Sequence, residues 1–363
     1  SSGAGGTLNL LNGTNNFTGG VTLAAQAGTT SVNTVLGVGA AGALGTGTVF
    51  VSSGNPTNTA IVGGGYLQAL GGPQTVTNLV SVNPNGNGGT VLGLVGTNPL
   101  TLATVDTTIA NVTIDNRSSN GSVLSITTVS GNTGSQENVT FGFPITPAGN
   151  VVRVTTLNNG GTATVAGGVL QIQGTAPLGG GPLAVNALGT LGGTGLISRS
   201  TEVAGVIAPG TSVGKLNFDG PLQLDQGAKY AFEYAAVTGL NPGVNYDTIG
   251  STSTLDLSFG SATNPFTVVI SPVGSPGTTG GPVTYDLGTF TGGVFLPVGQ
   301  DPNNLNNLFT FAGAFSGTPT VFLDPSSTVL RLSFTPVPEP GTLALAGAAA
   351  AAVACLRRRR AGQ

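Results

Sequence analysis

Short runs in which apolar and polar residues alternate recur along most of the chain. Examples are "GTLNLLNG", "GGVTLAA", "GTGTVFVSSG" and "GGVLQIQG", each alternating over about four to six positions between turn residues such as Gly and Asn. Such alternation is typical of β-strands joined by tight turns. Before Gly341, no stretch of about ten residues repeats its apolar positions with the period of a helix. The pattern therefore predicts an all-β protein.

One strand-turn-strand segment occurs twice. The segment "VLGVGAAGALGTGTVFV" (residues 35–51) aligns without a gap with "VLQIQGTAPLGGGPLAV" (residues 169–185). Repeated strand-turn units with glycine corners are typical of solenoids, in which each coil buries its apolar face against the next. Asn-rich turns fit this fold, because stacked Asn amides can hydrogen-bond to one another. The sequence favours an elongated right-handed parallel β-helix, and a β-sandwich with the same alternation is the alternative.

The pattern changes along the chain and divides it into three parts. Residues 1–259 carry the solenoid pattern. From residue 260 to 335, Pro and Phe become denser, as in "NPFTVVISPVGSPG", which predicts a β-rich cap or a small β-sandwich. A cap would shield the open edge of the last coil. Residues 336–363 form a separate C-terminal tail.

The composition excludes several classes of protein. Charged residues make up 6% of the 363 residues, the mean hydropathy is +0.29 and the net charge is −3, which argues against disorder. The 62 Gly and 22 Pro residues indicate many turns. No charged residue precedes Asp106, so the N-terminal third cannot offer a phosphate-binding surface. We therefore expect no nucleic-acid partner.

The motifs that resemble catalytic or cofactor sites lack their chemical partners. "GTSVG" (residues 210–214) matches a nucleophile elbow around Ser212, but the chain contains no His to accept the serine proton. "GVGAAG" (residues 37–42) matches a dinucleotide fingerprint, but no acidic residue lies within the next 60 positions to hold a ribose, and no helix is predicted after it. The single Cys355 and the lack of His exclude a zinc site. We expect no cofactor, no bound metal and no catalytic residues.

Glycan cleavage is the enzyme hypothesis that needs only two carboxylates. If a coil takes roughly 20 to 25 residues, Asp225 and Asp247 would stack on neighbouring coils, and Glu202 would come close to Asp219. Stacked acids are more often solvated turn residues. The sequence therefore favours a protein that is not an enzyme, with a polysaccharide-degrading β-helix as an alternative.

The tail contains fifteen uncharged residues, "TLALAGAAAAAVACL" (residues 342–356), which favour a helix. At ~1.5 Å per residue they span ~22 Å, less than the ~30 Å hydrocarbon core of a bilayer. Four arginines follow and would stay in the cytoplasm by the positive-inside rule. The tail therefore predicts one short transmembrane helix that holds the body on the outer side, at least transiently.

Parts of the body resemble the autotransporter-associated β-strand repeat, a unit of passenger-type β-helices. The resemblance rests on "LNGTNNFTGGVTLAAQ" with "TVLGVGAAGALGTGTVFV" (residues 11–51), and on "LGTLGGTGLI" and "GVIAPGTSVGKLNFDGPLQL" further on. "YDTI" (residues 246–249) is similar to a motif that often follows such repeats. The resemblance implies a β-helix.

The tail resembles the PEP-CTERM protein-sorting signal, which joins Pro-Glu-Pro, an apolar helix and a terminal arginine cluster. The resemblance implies recognition by an exosortase-type sorting peptidase, cleavage near the Pro-Glu-Pro motif, and passage from an inner-membrane precursor to the cell surface or the extracellular matrix. We expect a surface or matrix protein with a structural or adhesive role and extracellular polysaccharide as its candidate ligand; a passive spacer is a further alternative. The signal residues are Pro338, Glu339, Pro340, Arg357, Arg358, Arg359 and Arg360.

Overall fold

The fold was analysed in a computed structural model, which describes residues 6–26, 34–54, 64–82, 90–108, 111–131, 137–177, 179–277 and 279–337. All regular structure in these ranges is β, in thirty strands. The strands are β1 Thr7–Leu10, β2 Val21–Gln26, β3 Thr34–Val38, β4 Val49–Gly54, β5 Gly64–Ala69, β6 Gln74–Val82, β7 Thr90–Val95, β8 Leu100–Asp106, β9 Val112–Asn116, β10 Leu124–Ser130, β11 Val139–Phe141, β12 Val151–Asn158, β13 Ala163–Val165, β14 Gly168–Ala176, β15 Leu183–Val185, β16 Gly189–Gly193, β17 Leu196–Ile197, β18 Thr201–Val203, β19 Val206–Pro209, β20 Lys215–Phe218, β21 Leu222–Leu224, β22 Lys229–Tyr234, β23 Thr248–Ser251, β24 Leu255–Asp256, β25 Phe266–Pro272, β26 Val283–Phe290, β27 Val294–Phe295, β28 Phe309–Gly313, β29 Phe315–Leu323 and β30 Val329–Pro336.

One side of the molecule is a parallel sheet to which each coil contributes one strand. Its order, β1-β3-β5-β7-β9-β11-β13-β15-β18-β21-β24-β27, follows the chain. We call it sheet A. Neighbouring strands pair in parallel and in direct register, as Leu36 does with Leu67. Successive parallel strands are what a β-helix requires, whereas a sandwich is built from antiparallel sheets. The all-β prediction is confirmed and the pairing is that of a β-helix; right-handed winding stays a prediction, favoured by the general hand of parallel crossovers.

The opposite side, sheet B, changes along the solenoid. From β2 to β14, each coil contributes one strand. The long strand β14 then pairs with both β16 and β17, so the later coils have two strands on this side. The split occurs at Gly193, where the chain turns into a corner with a φ of 103°. A Cβ at this position would lie 2.0 Å from the Ile172 carbonyl oxygen, so only glycine fits.

The interior of sheet A is a stack of mostly aliphatic side chains in register. One row runs through sheet A, and every member of it is buried. The row consists of Leu92, Ile114, Phe141, Val165, Val185, Val203 and Leu224. In the later coils, which have two strands in sheet B, the interior also contains a cluster of aromatic rings, with Phe232 and Tyr285 5.3 Å apart. The larger cross-section of these coils accounts for the larger side chains.

Buried Asn residues hold the corners together, although by a different bond from the predicted one. Asn116 Nδ2 donates to the Val151 carbonyl at 2.8 Å, and Asn150 Nδ2 donates to the Asn116 carbonyl at 2.9 Å. Both side chains are buried. At this corner the amides bind backbone carbonyls of neighbouring coils rather than each other, because corner carbonyls leave the ladders and need donors.

The two copies of the aligned segment occupy different places in the coil. Residues 35–51 run from β3 in sheet A to β4 in sheet B, whereas residues 169–185 run from β14 in sheet B to β15 in sheet A. The alignment is therefore half a coil out of phase. Both sheets need the same alternation and both corners need glycine, so sequence similarity does not distinguish them.

The C-terminal end of the solenoid closes with antiparallel strands. Strands β25 and β28 continue a parallel ladder, whereas β30 pairs antiparallel with both β26 and β29. The proposed boundary at residue 260 stays a prediction. The predicted helix 342–356 lies outside the described residues, and within the described ranges no helix has the length and apolar character needed to span a membrane.

Candidate functional site

The carboxylates considered for glycan cleavage are not brought together. Asp225 follows β21 at the corner that leads from sheet A to β22, where its Oδ1 accepts a hydrogen bond from Gln223 Nε2 at 2.7 Å. Asp247 precedes β23 at the next corner and lies beside Glu233, near the far end of β22. Six residues of β22 separate the two corners by about 20 Å at ~3.3 Å per residue.

The second carboxylate pair is also separated. Glu202 lies in β18, and its partner on the next coil is Gln223. Asp219 lies at the corner before β21 and accepts a hydrogen bond from Thr252 Oγ1 at 2.9 Å. Neither pair is assembled in the described part of the chain. The coil between Asp225 and Asp247 is longer than a constant repeat assumes, and Asp219 lies at the corner before the residue that pairs with Glu202.

Asp247 is a buried link between neighbouring coils. Its side chain is 2% exposed. Oδ1 accepts a hydrogen bond from the Gly214 N–H at 2.8 Å, and Oδ2 accepts one from the Glu233 N–H at 2.9 Å. Burial raises the pKa of Asp247 from 3.8 to about 8, although the two N–H donors oppose this shift. The carboxyl group fastens the "GTSVG" corner to the coil that follows.

The other residues of the "YDTI" motif also have structural contacts. The Tyr246 ring lies 5.1 Å from the Tyr285 ring, and Thr248 Oγ1 donates to the Asp286 carbonyl at 2.9 Å. Ile249 belongs to the core. The motif therefore closes the corner between β22 and β23.

The "GTSVG" segment forms the corner after β19. Gly210 has a φ of 88° and exchanges two backbone hydrogen bonds of 2.8 Å with Gly193. Ser212 is exposed at the tip of this corner. The segment "GVGAAG" likewise covers the end of β3 and the turn before β4, with Gly42 at a φ of 77°. Both segments are glycine corners of the solenoid.

A charged cluster on the outside of sheet A was not foreseen. Asp115 is fully buried, accepts a hydrogen bond from Thr146 Oγ1 at 2.7 Å and pairs with Arg117. The Arg117 guanidinium lies 5.3 Å from the Tyr66 ring centre and 5.2 Å from that of Phe143. Burial raises the pKa of Tyr66 to about 12. The only signal in the sequence was a lone acid-base pair in an otherwise neutral region.

Arg199 is a second buried charged residue whose role the sequence did not predict. It is 1% exposed and donates to Asn159 Oδ1 at 2.9 Å and to the Leu157 carbonyl at 3.2 Å. Burial lowers its pKa to about 10. Among the described residues no carboxylate forms an ion pair with it. The guanidinium satisfies corner carbonyls from inside the solenoid, and "SRS" gave no sign of this.

The predicted sorting signal lies beyond the described ranges: Pro338, Glu339, Pro340 and the arginines 357–360 have no structural description. The last strand, β30, ends at Pro336, so the folded body reaches almost to Pro338.

Comparison with known proteins identifies this tail. Residues 336–360 match the family model of the PEP-CTERM protein-sorting motif. No curated protein matches the chain. The family match does not extend to the body, so the resemblance to autotransporter-associated repeats stays a prediction. The chain thus ends in a PEP-CTERM sorting signal, which indicates export through the envelope and sorting to the cell surface.

Proposed function

We propose that the chain is a non-catalytic structural and adhesive protein of the cell surface or extracellular matrix. The observation that carries this proposal is the sorting motif that begins at residue 336, the last residue of the closing strand β30. An exosortase-type peptidase is the expected partner of this signal. It acts on a precursor held in the inner membrane by residues 342–356 and releases the body near Pro338–Pro340.

The shape of the body supports a structural role. Twelve strands of sheet A, spaced ~4.8 Å apart, make a rod roughly 50 Å long. Neighbouring coils are hydrogen-bonded to each other through both sheets, so the rod resists bending. Such a rod carries an attached group away from the cell.

The outer surface of sheet B supports contact with neutral glycans. Thr104, Thr128, Thr156 and Thr175 stand in register on four neighbouring strands, half-buried or exposed. Hydroxyl groups bind sugar hydroxyls without the desolvation cost of charged groups. Extracellular polysaccharide is therefore the candidate ligand of the rod.

The proposal is tested in the native host by deleting the gene and complementing it. The full chain should restore surface attachment and matrix cohesion, whereas a variant with Pro338, Glu339 and Pro340 replaced by Ala should stay in the membrane and restore neither. Replacing Pro276, a loop proline outside the motif, is the matched control and should behave as wild type.

Two results would contradict the proposal in different ways. Unchanged attachment after deletion would favour a passive spacer. Release of reducing ends from polysaccharide by the purified chain would favour a degrading enzyme.

A further inference from the structure

The loop between β27 and β28 forms a polar pocket at the C-terminal end of the solenoid. The pocket has a volume of about 330 Å³. Five of its six lining residues carry a carboxamide or carboxylate side chain, and none carries a positive charge. The lining consists of Gly299, Gln300, Asp301, Asn304, Asn306 and Asn307.

The loop is anchored to the body. Leu305 is fully buried, and its N–H donates to the Val321 carbonyl at 2.9 Å. The Val321 N–H in turn donates to Asn306 Oδ1 at 2.9 Å, and the Leu323 N–H donates to the Pro302 carbonyl at 2.8 Å. These bonds attach the loop to β29. The pocket is therefore preformed, which lowers the entropic cost of binding a ligand.

Internal hydrogen bonds fix some of the lining side chains. Gln300 Nε2 donates to the Asn304 carbonyl at 2.7 Å, and Asn307 Nδ2 donates to Gln300 Oε1 at 2.8 Å. Asp301 Oδ1 accepts the Asn303 N–H at 2.9 Å. Four polar atoms of the lining have no hydrogen-bond partner within the residues described. Two are donors, Asn304 Nδ2 and Asn306 Nδ2, and two are acceptors, Asp301 Oδ2 and Asn307 Oδ1.

This mixture matches the chemistry of a hydroxyl-rich, uncharged ligand. A hydroxyl group both accepts from an amide N–H and donates to a carboxylate or amide oxygen. The negative Asp301, without a cation in the lining, disfavours anionic ligands. Just before the lining in sequence, Phe295 at the end of β27 is exposed (57%), and Val298 is fully exposed. An exposed ring at the start of a loop rich in amide groups suits a sugar, which has an apolar C–H face and a polar rim.

We propose that the β27–β28 loop is a binding site for an uncharged saccharide. The site rests on the proposed function, in which a glycan is the ligand, and adds a pocket at the end of the rod to the threonine row of sheet B. The loop is bonded to β29, whose partner β30 ends where the sorting signal begins. A glycan held here lies at the end of the rod from which the tail emerges, so the site serves to retain the body on glycan close to the point of release.

The test is isothermal titration calorimetry on the full chain in a detergent without a sugar headgroup. The probes are uncharged cello-, malto-, xylo-, manno- and galacto-oligosaccharides, with polygalacturonate as the anionic comparison. Asn307→Ala removes a lining amide, and Phe295→Ala removes the exposed ring that precedes the lining. Asn264→Ala, an exposed Asn in the loop before β25, and Phe259→Ala, an exposed ring of the preceding coil, are the matched controls.

The expected result is binding of at least one uncharged probe, weakened about tenfold by either site variant and less than about twofold by either control. Asp301→Asn, which keeps the shape of the loop, should also weaken binding. Lack of binding to every uncharged probe overturns the proposal, as do equal losses in the controls, tighter binding of polygalacturonate, or loss of binding on chelation of divalent cations. Because calorimetry uses purified protein, it can fail while the attachment test in the host succeeds. It can also succeed while the attachment test fails, so the two proposals are tested separately.

Discussion

Gly193 marks the point where one sheet of the solenoid becomes two, and Gly193→Ala should destabilise the protein strongly. The residue has a φ of 103°, and an added Cβ would lie 2.0 Å from the Ile172 carbonyl oxygen and 2.7 Å from the Ile172 nitrogen. Backbone atoms of a paired strand cannot move aside singly. The substitution therefore adds a conformational penalty of about 1–2 kcal/mol to an overpacking penalty of about 1–3 kcal/mol, or about 2–5 kcal/mol in total.

Two other glycines separate these penalties. Gly239 has a φ of 61° but open space around its Cβ position, so Gly239→Ala should cost only the conformational penalty of about 1–2 kcal/mol. Gly149 has neither a positive φ nor a neighbour within 4 Å. Gly149→Ala should leave stability unchanged or raise it by up to about 1 kcal/mol, because it restricts the unfolded chain.

The assay is urea unfolding of the full chain followed by far-UV circular dichroism. Differences in midpoint are converted to free energies only where the slope of the transition is unchanged, since repeat proteins can lose cooperativity. The predicted order of stability is Gly149→Ala, then Gly239→Ala, then Gly193→Ala. If the Gly193→Ala variant unfolds at the same urea concentration as the Gly239→Ala variant, the close approach of β14 to this corner is refuted.

Three further predictions use the same assay. The pKa of Asp247 is about 8 in the folded state against 3.8 ordinarily, so the unfolded chain loses this proton first and the free energy of unfolding should fall as pH rises from about 4 to about 8. The Asp247→Asn variant should show a smaller fall. An equally steep fall in the variant would contradict the assignment of this pH dependence to Asp247. Arg117→Gln leaves Asp115 buried without its cation and should lower stability by about 1–3 kcal/mol. Arg331→Gln should lower stability by at most about 1 kcal/mol, because Arg331 and its partner Asp286 are equally exposed. Equal losses in the two variants would contradict this difference between a buried and an exposed pair. Phe232→Ala removes a fully buried ring that contacts several others and should cost about 3–5 kcal/mol; a cost below about 1 kcal/mol would show that the aromatic core is wrongly placed.

Alternation and glycine corners were enough to predict the parallel solenoid, because every coil repeats the same demand for apolar residues inside and tight turns outside. They were not enough to place a residue within a coil. Residues 35–51 and 169–185 look alike but run in opposite senses between the two sheets. The sequence also gave no sign that sheet B divides at Gly193, since many other glycines serve as ordinary corners.

The positions of the acids depend on coil length, which local patterns do not reveal. The coil that leads from Thr201 to its partner Leu222 is shorter than the coil that leads from Leu222 to its partner Leu255, because a long corner precedes Asp247. A constant repeat therefore predicted a meeting of carboxylates that does not occur. Arg199 escaped prediction for a related reason: its partners are backbone carbonyls, and their positions follow only from the stacked corners.

Export and sorting through the tail are tested most directly by mass-spectrometric mapping of the C-terminus in the native host. Protein is recovered separately from the membrane, the cell surface and the culture fluid. A sorted and processed body should end near Pro338–Pro340 wherever it is found outside the cell. Protein that is found only in the inner membrane, with its chain intact to Gln363, would contradict processing and identify the tail as a permanent anchor.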